Sequence, residues 1–315
     1  MFRLQVLESV ESTNEVIKRA IEDGEPEGLA IRAYRQTGGY GRQGRAWKSP
    51  RGGMYESILL RPEVEMRELP TLALVVAIAV RRALASLVVD DQARRICIKW
   101  PNDVVLVGGD FGADCSTRDT ALELGGHTPC SDSPALENSP LGCSRRAELR
   151  AAYARQAQGL QASQTNAPSI KNLYSKLAGI SSEVHAGGIC VGIGVNVEPP
   201  EDAMEVGGKN APAYLADLGF GFTCEREAAI NAVGDAVLRE FEPLYRRWCD
   251  GGFAALSGEF AEHSMLEGRF VRMANQLGEV VCEGTVRGVD ASGRLILRLG
   301  DGESKAVASG EVHLL

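Results

Sequence analysis

The stretch that most constrains the fold is GGYGRQGRAW, residues 38–47, whose glycines at 39, 41 and 44 have the spacing G-x-G-x-x-G. In a dinucleotide-binding fold this spacing ends a strand and opens a helix whose N-terminus faces the pyrophosphate. Here the strand pattern GLAIRAYRQ precedes the loop, but Pro50, Gly52 and Gly53 follow it and disfavour a helix. The acidic residue expected about 20 positions further on is also missing. We therefore predict a loop that joins two strands.

Such a loop can hold an anion without a helix behind it. Successive backbone N–H groups can form a concave nest for phosphate. Arg42 and Arg45 add fixed positive charge to this loop. We predict that the loop closes over an anionic intermediate.

The composition is that of an ordinary soluble globular protein. The 315 residues are 44% hydrophobic and 24% charged, enough for one large and one small domain. The formal net charge of −8 argues against general nucleic-acid binding. The longest apolar run, Leu72–Val80, is too short for a membrane span and predicts a buried helix, and the first residues show no signal-peptide pattern. These features favour a cytoplasmic protein with no membrane partner.

The eight cysteines form no C-x-x-C pair, so neither a disulfide framework nor a zinc site of regular spacing is indicated. Cys115, Cys130 and Cys143 with His127 form a weak zinc candidate, and scattered thiols are the favoured interpretation.

Helix and strand patterns alternate in residues 1–263, which predicts an α+β fold in which helices pack on a mixed β-sheet. Helices are predicted at 12–24, 66–88 and 224–253, and central strands at 96–100 and 189–197. Ser12 or Thr13 is a candidate helix cap, with Glu15 three residues after Ser12.

Two regions depart from this alternation. Residues 108–168 are rich in Ser and Pro and predict a disordered or loosely held insertion, with a peripheral helix at 145–162. After residue 263 the chain contains short strands with tight turns, which predicts a small β-barrel. The predicted domains are therefore 1–263 and 264–315.

Five motifs occur in one order: ESTN, QTGGYGRQGRAW, KWPND, KLAGI and GIGVNV. With these motifs the chain resembles the biotin protein ligases, or biotin–[acetyl-CoA-carboxylase] ligases, over most of its length. The resemblance implies a catalytic domain followed by an SH3-like β-barrel. It also implies two reactions: biotin and ATP form biotinyl-5′-AMP, and a lysine of a carboxylase carrier domain then takes the biotin. ATP with Mg²⁺ and biotin would be substrates, and no permanently bound cofactor is implied.

The resemblance also assigns roles near the biotin ring and the loop. Ser12, Thr13, Asn14 and Gln36 match positions at the ureido ring, where hydroxyl and amide groups can meet its N–H and C=O. In the loop Tyr40 stands where the family has arginine, so only backbone roles carry over for Tyr40 and Gly41. Arg42 is implied to bind both substrates, and Arg45 and Trp47 to bind the nucleotide.

Three further motifs carry polar residues that the resemblance places at the reacting atoms. Lys176 of KLAGI is the favoured catalytic residue, together with Arg42, because its ammonium can bridge the biotin carboxylate and the α-phosphate. Asn102 and Asn196 match positions near the nucleotide, and Asp103 a position near Mg²⁺ or the incoming lysine. In the family KWPND and KLAGI stand much closer together than here, where residues 104–175 separate Asp103 from Lys176.

Four other functions stay open. A lipoate or octanoate ligase or transferase is related in fold. A DNA-binding repressor would need a winged-helix module before the catalytic domain, whereas this chain enters its first strand at about Leu4. A carrier domain would need a Met-Lys-Met-like hairpin, which the sequence lacks. The fourth is a biotin-binding protein without catalytic activity. The sequence does not decide between a monomer and a homodimer.

Overall fold

A computed structural model of the chain describes residues 2–108, 173–200, 211–221, 225–275 and 277–315. The predicted insertion beyond residue 108, the helix at 145–162 and the Cys115, Cys130, Cys143 and His127 cluster lie outside the described residues.

The larger sheet is mixed, as predicted. Its strands in chain order are β1 (Arg3–Leu7), β2 (Leu29–Ala33), β3 (Gly53–Leu60), β4 (Ile96–Lys99), β5 (Asp103–Val107), β6 (Tyr174–His185) and β7 (Gly188–Asn196). Their order in the sheet is β1-β2-β3-β7-β6-β5-β4. β1 runs parallel to β2, and the other neighbours are antiparallel.

The smaller sheet is antiparallel throughout and has the order β11-β10-β9-β8-β12. Its strands are β8 (Phe270–Ala274), β9 (Val280–Val289), β10 (Leu295–Arg298), β11 (Ser304–Val307) and β12 (Glu311–Leu314). The prediction of a small all-β part after residue 263 is therefore confirmed.

The described α-helices are α1 (Thr13–Glu22), α2 (Leu72–Ser86), α3 (Asp90–Ala93), α4 (Arg226–Gly251) and α5 (Ser257–Glu262). Alternate residues of a strand point to opposite faces of its sheet. Met54 and Ile58 of β3 pack in the core that holds α2 and α4. Ile31 and Leu59 pack in a separate cluster with α1. The sheet therefore has one face covered by α2 and α4, and one face that carries α1.

The apolar run at Leu72–Val80 lies in α2, and all its residues except Ala73 are buried. Leu69–Ser86 is the one described helical stretch long and apolar enough to cross a membrane, and most of it is buried inside the protein. It is a core helix, as predicted.

One strand prediction was wrong in position. β4 was expected to be central, but it lies at the edge of the larger sheet. Its outer side is still hydrogen-bonded, since Ile98 N donates to His263 O at 2.8 Å and Met265 N donates to Ile98 O at 2.9 Å. Residues 263–265 therefore pair with the outer side of β4, and the sequence around β4 does not predict this distant partner.

The same pairing crosses the predicted domain boundary at 263/264. Trp100 Nε1 also donates to Gly293 O at 2.9 Å, and Val271 and Leu295 belong to the same core as α2. The two sheets thus share one apolar core, and the boundary stays a prediction.

A buried ion pair ties the larger sheet to α4. Arg32 is 1% exposed and its Nε donates to Oε2 of the fully buried Glu56 at 2.7 Å. Its Nη1 also donates to Asp235 Oδ1 at 2.9 Å. Gly234 on α4 gives the guanidinium room, because a Cβ there would lie 2.3 Å from Arg32 Cζ.

Candidate active site

A cleft of about 690 Å³ lies on the α1 face of the larger sheet and is also lined by residues of β12. It brings together twelve of the thirteen residues predicted for the site. They are Thr13, Asn14, Gln36, Tyr40, Gly41, Arg42, Arg45, Trp47, Asn102, Asp103, Lys176 and Asn196. Ser12 is not among the lining residues; it is buried at the N-cap position of α1, as predicted, but its side chain makes no capping hydrogen bond.

One end of the cleft is a network of short polar side chains. Thr13 N and Oγ1 donate to Gln36 Oε1 at 2.8 and 3.0 Å. Ser57 Oγ donates to Asn14 Oδ1 at 2.6 Å and lies 2.7 Å from Thr13 Oγ1. Gln36 Nε2 donates to Ser49 Oγ at 2.9 Å. These bonds fix hydroxyl and amide groups before any ligand arrives, which favours recognition of a small polar ring.

The floor of the cleft is made of glycines from KLAGI and GIGVNV. A Cβ at Gly192 would lie 2.4 Å from Asn14 Oδ1, and one at Gly194 would lie 2.8 Å from Trp47 Nε1. At Gly179 it would meet the Trp47 ring at 3.0 Å. The glycines therefore let the indole lie directly on the sheet, where a larger side chain would displace it.

The glycine-rich loop forms a short hairpin-like turn. Trp47 N donates to Gly39 O at 2.9 Å and Gly41 N donates to Arg45 O at 2.8 Å. Arg42–Gly44 is a single 3₁₀ turn, and the chain then enters β3. The prediction that no α-helix follows the loop is confirmed, so the G-x-G-x-x-G spacing does not mark a dinucleotide-binding fold here.

Tyr40 fastens this loop to α1 and β6. Its hydroxyl donates to Glu15 Oε1 at 2.5 Å and accepts from Lys18 Nζ at 2.7 Å. Lys18 in turn pairs with Glu183 of β6 at 2.8 Å. Burial, together with the bond to Glu15, raises the pKa of Tyr40 to about 12, so it stays a neutral donor near pH 7. Tyr40 thus links the glycine-rich loop to α1 through Glu15 and Lys18, and we call this contact the latch.

The charged centre of the cleft combines Lys176, Asp103 and Arg42. Lys176 Nζ lies 2.7 Å from Asp103 Oδ1 and 4.9 Å from the centre of the Trp47 ring. Arg42 Nη1 donates to Asn102 Oδ1 at 3.0 Å. Burial lowers the pKa of Arg42, and the negative charge of Asp103 opposes that effect. Arg42 and Lys176 therefore share one pocket and can act on one anion.

The two predicted asparagines also hold this centre in place. Asn102 Nδ2 donates to Ile180 O at 2.8 Å, and Asn196 Nδ2 donates to Lys176 O at 3.0 Å. Asn102 thereby orients Arg42, and Asn196 anchors the strand at Lys176. Both line the cleft, so a positioning role is compatible with the predicted nearness to a nucleotide.

No group of three or more His, Cys, Asp and Glu side chains able to hold a metal ion occurs among the described residues. Asp103 is a single carboxylate in the cleft. Magnesium that arrives with ATP is usually held by one or two carboxylates together with substrate phosphates. One carboxylate fits that use, and the predicted Mg²⁺ contact of Asp103 stays a prediction.

Sequence reasoning missed several residues that the fold brings to the cleft. Lys99 was inside the quoted motif KWPND. Ser57, in the middle of β3, does not itself line the cleft but bonds with Thr13 and Asn14, which do. From the smaller sheet come Asn275, Glu311 and His313. Glu311 Oε1 lies 2.5 Å from Arg45 Nη2, which links β12 to the glycine-rich loop.

Two family models match the chain. Residues 6–112 match the Biotin/lipoate A/B protein ligase family, and residues 268–315 match the Biotin protein ligase C terminal domain. The two matched parts follow each other in the order expected from the resemblance, so the chain is similar to the biotin protein ligases in part of its catalytic region and in its C-terminal part.

Individual relatives agree with this family. The bifunctional ligase/repressor BirA of Bacillus spizizenii is 35% identical over 100 residues, which cover 31% of this chain and only 30% of that protein. The biotin–[acetyl-CoA-carboxylase] ligase of Mycobacterium tuberculosis is 24% identical over 99% of this chain and 89% of its own length. The biotin protein ligase of Aquifex aeolicus, solved with biotin and ATP, shares the fold at a TM-score of 0.63 and 22% identity, covering 100% and 99% of the two chains.

Proposed function

We propose that the protein activates biotin with ATP to form biotinyl-5′-AMP and transfers the biotin to a lysine of a carboxylase carrier domain. The proposal rests on one observation: Lys176, Arg42 and Trp47 line the same cleft as the glycines of β6 and β7. The hydrogen-bonded polar side chains at one end of the cleft lie next to them. The Aquifex aeolicus ligase of the same fold binds biotin and ATP, which supports these two substrates.

In the first step a carboxylate oxygen of biotin attacks the α-phosphorus of ATP. The new P–O bond forms as the bond to pyrophosphate breaks, and pyrophosphate leaves with the electron pair. Two anions must approach each other, so Lys176 and Arg42 stabilise the transition state by cancelling their repulsion. Lys176 exchanges part of its contact with Asp103 for the reacting oxygens.

In the second step a lysine amine of the carrier attacks the carbonyl carbon of the mixed anhydride. The C–N bond forms, the C–O bond to phosphate breaks, and AMP leaves. Asp103 lines the cleft, which supports a role for its carboxylate in taking the proton that the amine loses. The loop and Trp47 shield the anhydride from water until that lysine arrives.

The remaining parts of the proposal concern partners and place. MgATP and biotin are substrates, with no permanently bound cofactor. The protein partner is a biotin carboxyl carrier domain, and neither DNA nor a membrane is needed for either step. The protein acts in the cytoplasm as a monomer or homodimer.

A substrate comparison tests the proposal against the lipoate or octanoate alternative, which the name of the matching catalytic family also covers. Purified protein is incubated with MgATP, labelled pyrophosphate and either biotin, lipoate or octanoate. Exchange of label into ATP is expected with biotin alone, followed by labelling of an apo carrier domain. Exchange with lipoate but not biotin would replace the proposed substrate, and tight biotin binding without exchange would support a non-catalytic binding protein.

The latch at Tyr40 leads to a second prediction. Tyr40→Phe keeps the ring that lies 5.1 Å from Lys18 Nζ but removes both hydrogen bonds of the hydroxyl, to Glu15 and from Lys18. The loss of these partly exposed bonds should let the loop open more often, so release of biotinyl-5′-AMP is expected to rise by roughly 2- to 12-fold for each bond. Release is measured by trapping the free intermediate during single turnover, with Lys305→Met on β11 as the control. An unchanged release rate would show that the latch does not govern the loop.

A further inference from the structure

Lys99 is a buried ammonium that the proposed steps leave without a role. It ends β4, lines the cleft and is only 7% exposed. Its ammonium makes no hydrogen bond or ion pair with the described residues, and Nζ lies 5.5 Å from the centre of the Tyr174 ring. Burial lowers the pKa of Lys99, as expected for a charge removed from water.

The obvious partner of Lys99 is already engaged. Lys99 stands directly opposite Asp103 in the β4–β5 pairing. The Asp103 carboxylate instead contacts Lys176 at 2.7 Å. The one carboxylate between these two ammonium groups therefore pairs with Lys176 only, which leaves the cleft with surplus positive charge at Lys99, in addition to that of Arg42. A buried unpaired ammonium destabilises the fold, so packing alone does not explain this lysine.

The order of the strands shows where an anion could meet Lys99. From the polar end of the cleft outward, β7 is followed by β6 with Lys176, β5 with Asp103 and β4 with Lys99. Adjacent strands are about 4.8 Å apart, so the backbones of β6 and β4 are separated by about 10 Å. Two long lysine side chains can bridge that distance with a chain of linked phosphates between them.

We propose that Lys99 binds the β- and γ-phosphates of ATP and stabilises the pyrophosphate leaving group. This rests on the proposed function, in which Lys176 and Arg42 serve the α-phosphate. As the bond between the α-phosphorus and the bridging oxygen breaks, negative charge grows on pyrophosphate, and Lys99 offers it a charge-assisted hydrogen bond. The transfer step involves no pyrophosphate and does not use Lys99.

The test uses Lys99→Met, which keeps the length of the side chain and removes the charge. Its dissociation constant for inorganic pyrophosphate, measured by calorimetry without biotin, is expected to rise about 10- to 100-fold. The rate of exchange of labelled pyrophosphate into ATP, measured at subsaturating ATP with biotin present, should fall by a similar factor. Transfer from preformed biotinyl-5′-AMP to the carrier should stay within about 2-fold, and the melting temperature should be equal to or above that of the parent, because a buried charge is gone. Lys305→Met is the matched control.

Several outcomes would overturn the proposal. Unchanged pyrophosphate affinity in Lys99→Met would do so, and so would equal losses in exchange and in transfer from the preformed intermediate. If the methionine variant does not fold, Lys99→Gln is assayed in its place, and failure of both to fold would assign Lys99 to structure. Failure of the proposed function is a separate result: the parent would bind pyrophosphate through Lys99 yet form no biotinyl-5′-AMP.

Discussion

Replacing Lys176 with methionine is expected to lower the rate of biotinyl-5′-AMP formation by about 10²- to 10³-fold, the loss typical when one prearranged electrostatic group is removed from a reaction centre. Lys176 Nζ lies 2.7 Å from Asp103 Oδ1 and 4.9 Å from the centre of the Trp47 ring, and without it Arg42 alone would serve the biotin carboxylate and the α-phosphate. Single-turnover formation of the adenylate, followed by rapid quench, measures this rate directly.

The expected effect of Lys176→Met on stability is small. The Lys176 and Asp103 side chains are 22% and 15% exposed, so water and salt screen part of their attraction, and we expect a change within about 1 kcal/mol in the free energy of unfolding. Lys305→Met removes a lysine that does not line the cleft and should retain the parental rate. An adenylation rate within about 3-fold of the parent in Lys176→Met would remove Lys176 from the mechanism.

Replacing Arg32 with methionine is expected to lower the free energy of unfolding by about 3–5 kcal/mol, because it leaves Glu56 buried without its partner. Glu56 is fully buried and Arg32 Nε is its hydrogen-bond donor at 2.7 Å. Urea denaturation at pH 8 measures the loss. The matched control is Arg3→Met, which removes an exposed pair with Glu25 at 3.3 Å and should cost under about 1 kcal/mol.

A double variant separates the lost ion pair from lost packing. Arg32→Met combined with Glu56→Leu removes both charges, so most of the stability should return. A double variant as unstable as Arg32→Met alone would show that the guanidinium acts through packing against Gly234 and α4, not through its charge.

The pH dependence of stability checks the same pair in the parent protein. Burial raises the pKa of Glu56 to about 7, opposed by Arg32, whereas an unfolded glutamate titrates near 4.5. The folded state therefore holds a proton that the unfolded state has lost, and the contribution of Glu56 is present below pH 4.5 and disappears as the pH rises through 7. Glu56→Gln should flatten this part of the stability profile, and an unchanged slope would assign it to other groups.

Local sequence was enough for much of the site. The glycine-rich loop between two strands and the helix after Ser12 were predicted from residue type and spacing, whereas the lysine of KLAGI was predicted from the resemblance. The cleft contains twelve of the thirteen residues predicted for the site. Many of these residues lie in short motifs whose backbone conformation is governed by nearby glycines and prolines. That conformation can be predicted because it depends on neighbours in the chain.

Other residues depended on partners far away in the chain. Ser57 lies 43 residues from Asn14 in the chain and bonds with it. Glu311, near the last residue of the chain, contacts Arg45, near the first. The edge position of β4 likewise depends on backbone bonds to residues near 263. No local pattern contains these pairings.

By itself the sequence determined the three longest described helices, several strands, the absence of a dinucleotide-binding helix and the positive charge of the glycine-rich loop, because these follow from periodicity, turn residues and residue type. Only the tertiary structure decided which charges are buried and which are paired. It placed Arg32 beside Glu56, Tyr40 beside Glu15, and Lys99 in the cleft with no carboxylate paired to it in the described part of the chain. The physical reason is that desolvation and Coulomb attraction depend on distance in space, which the order of residues does not specify.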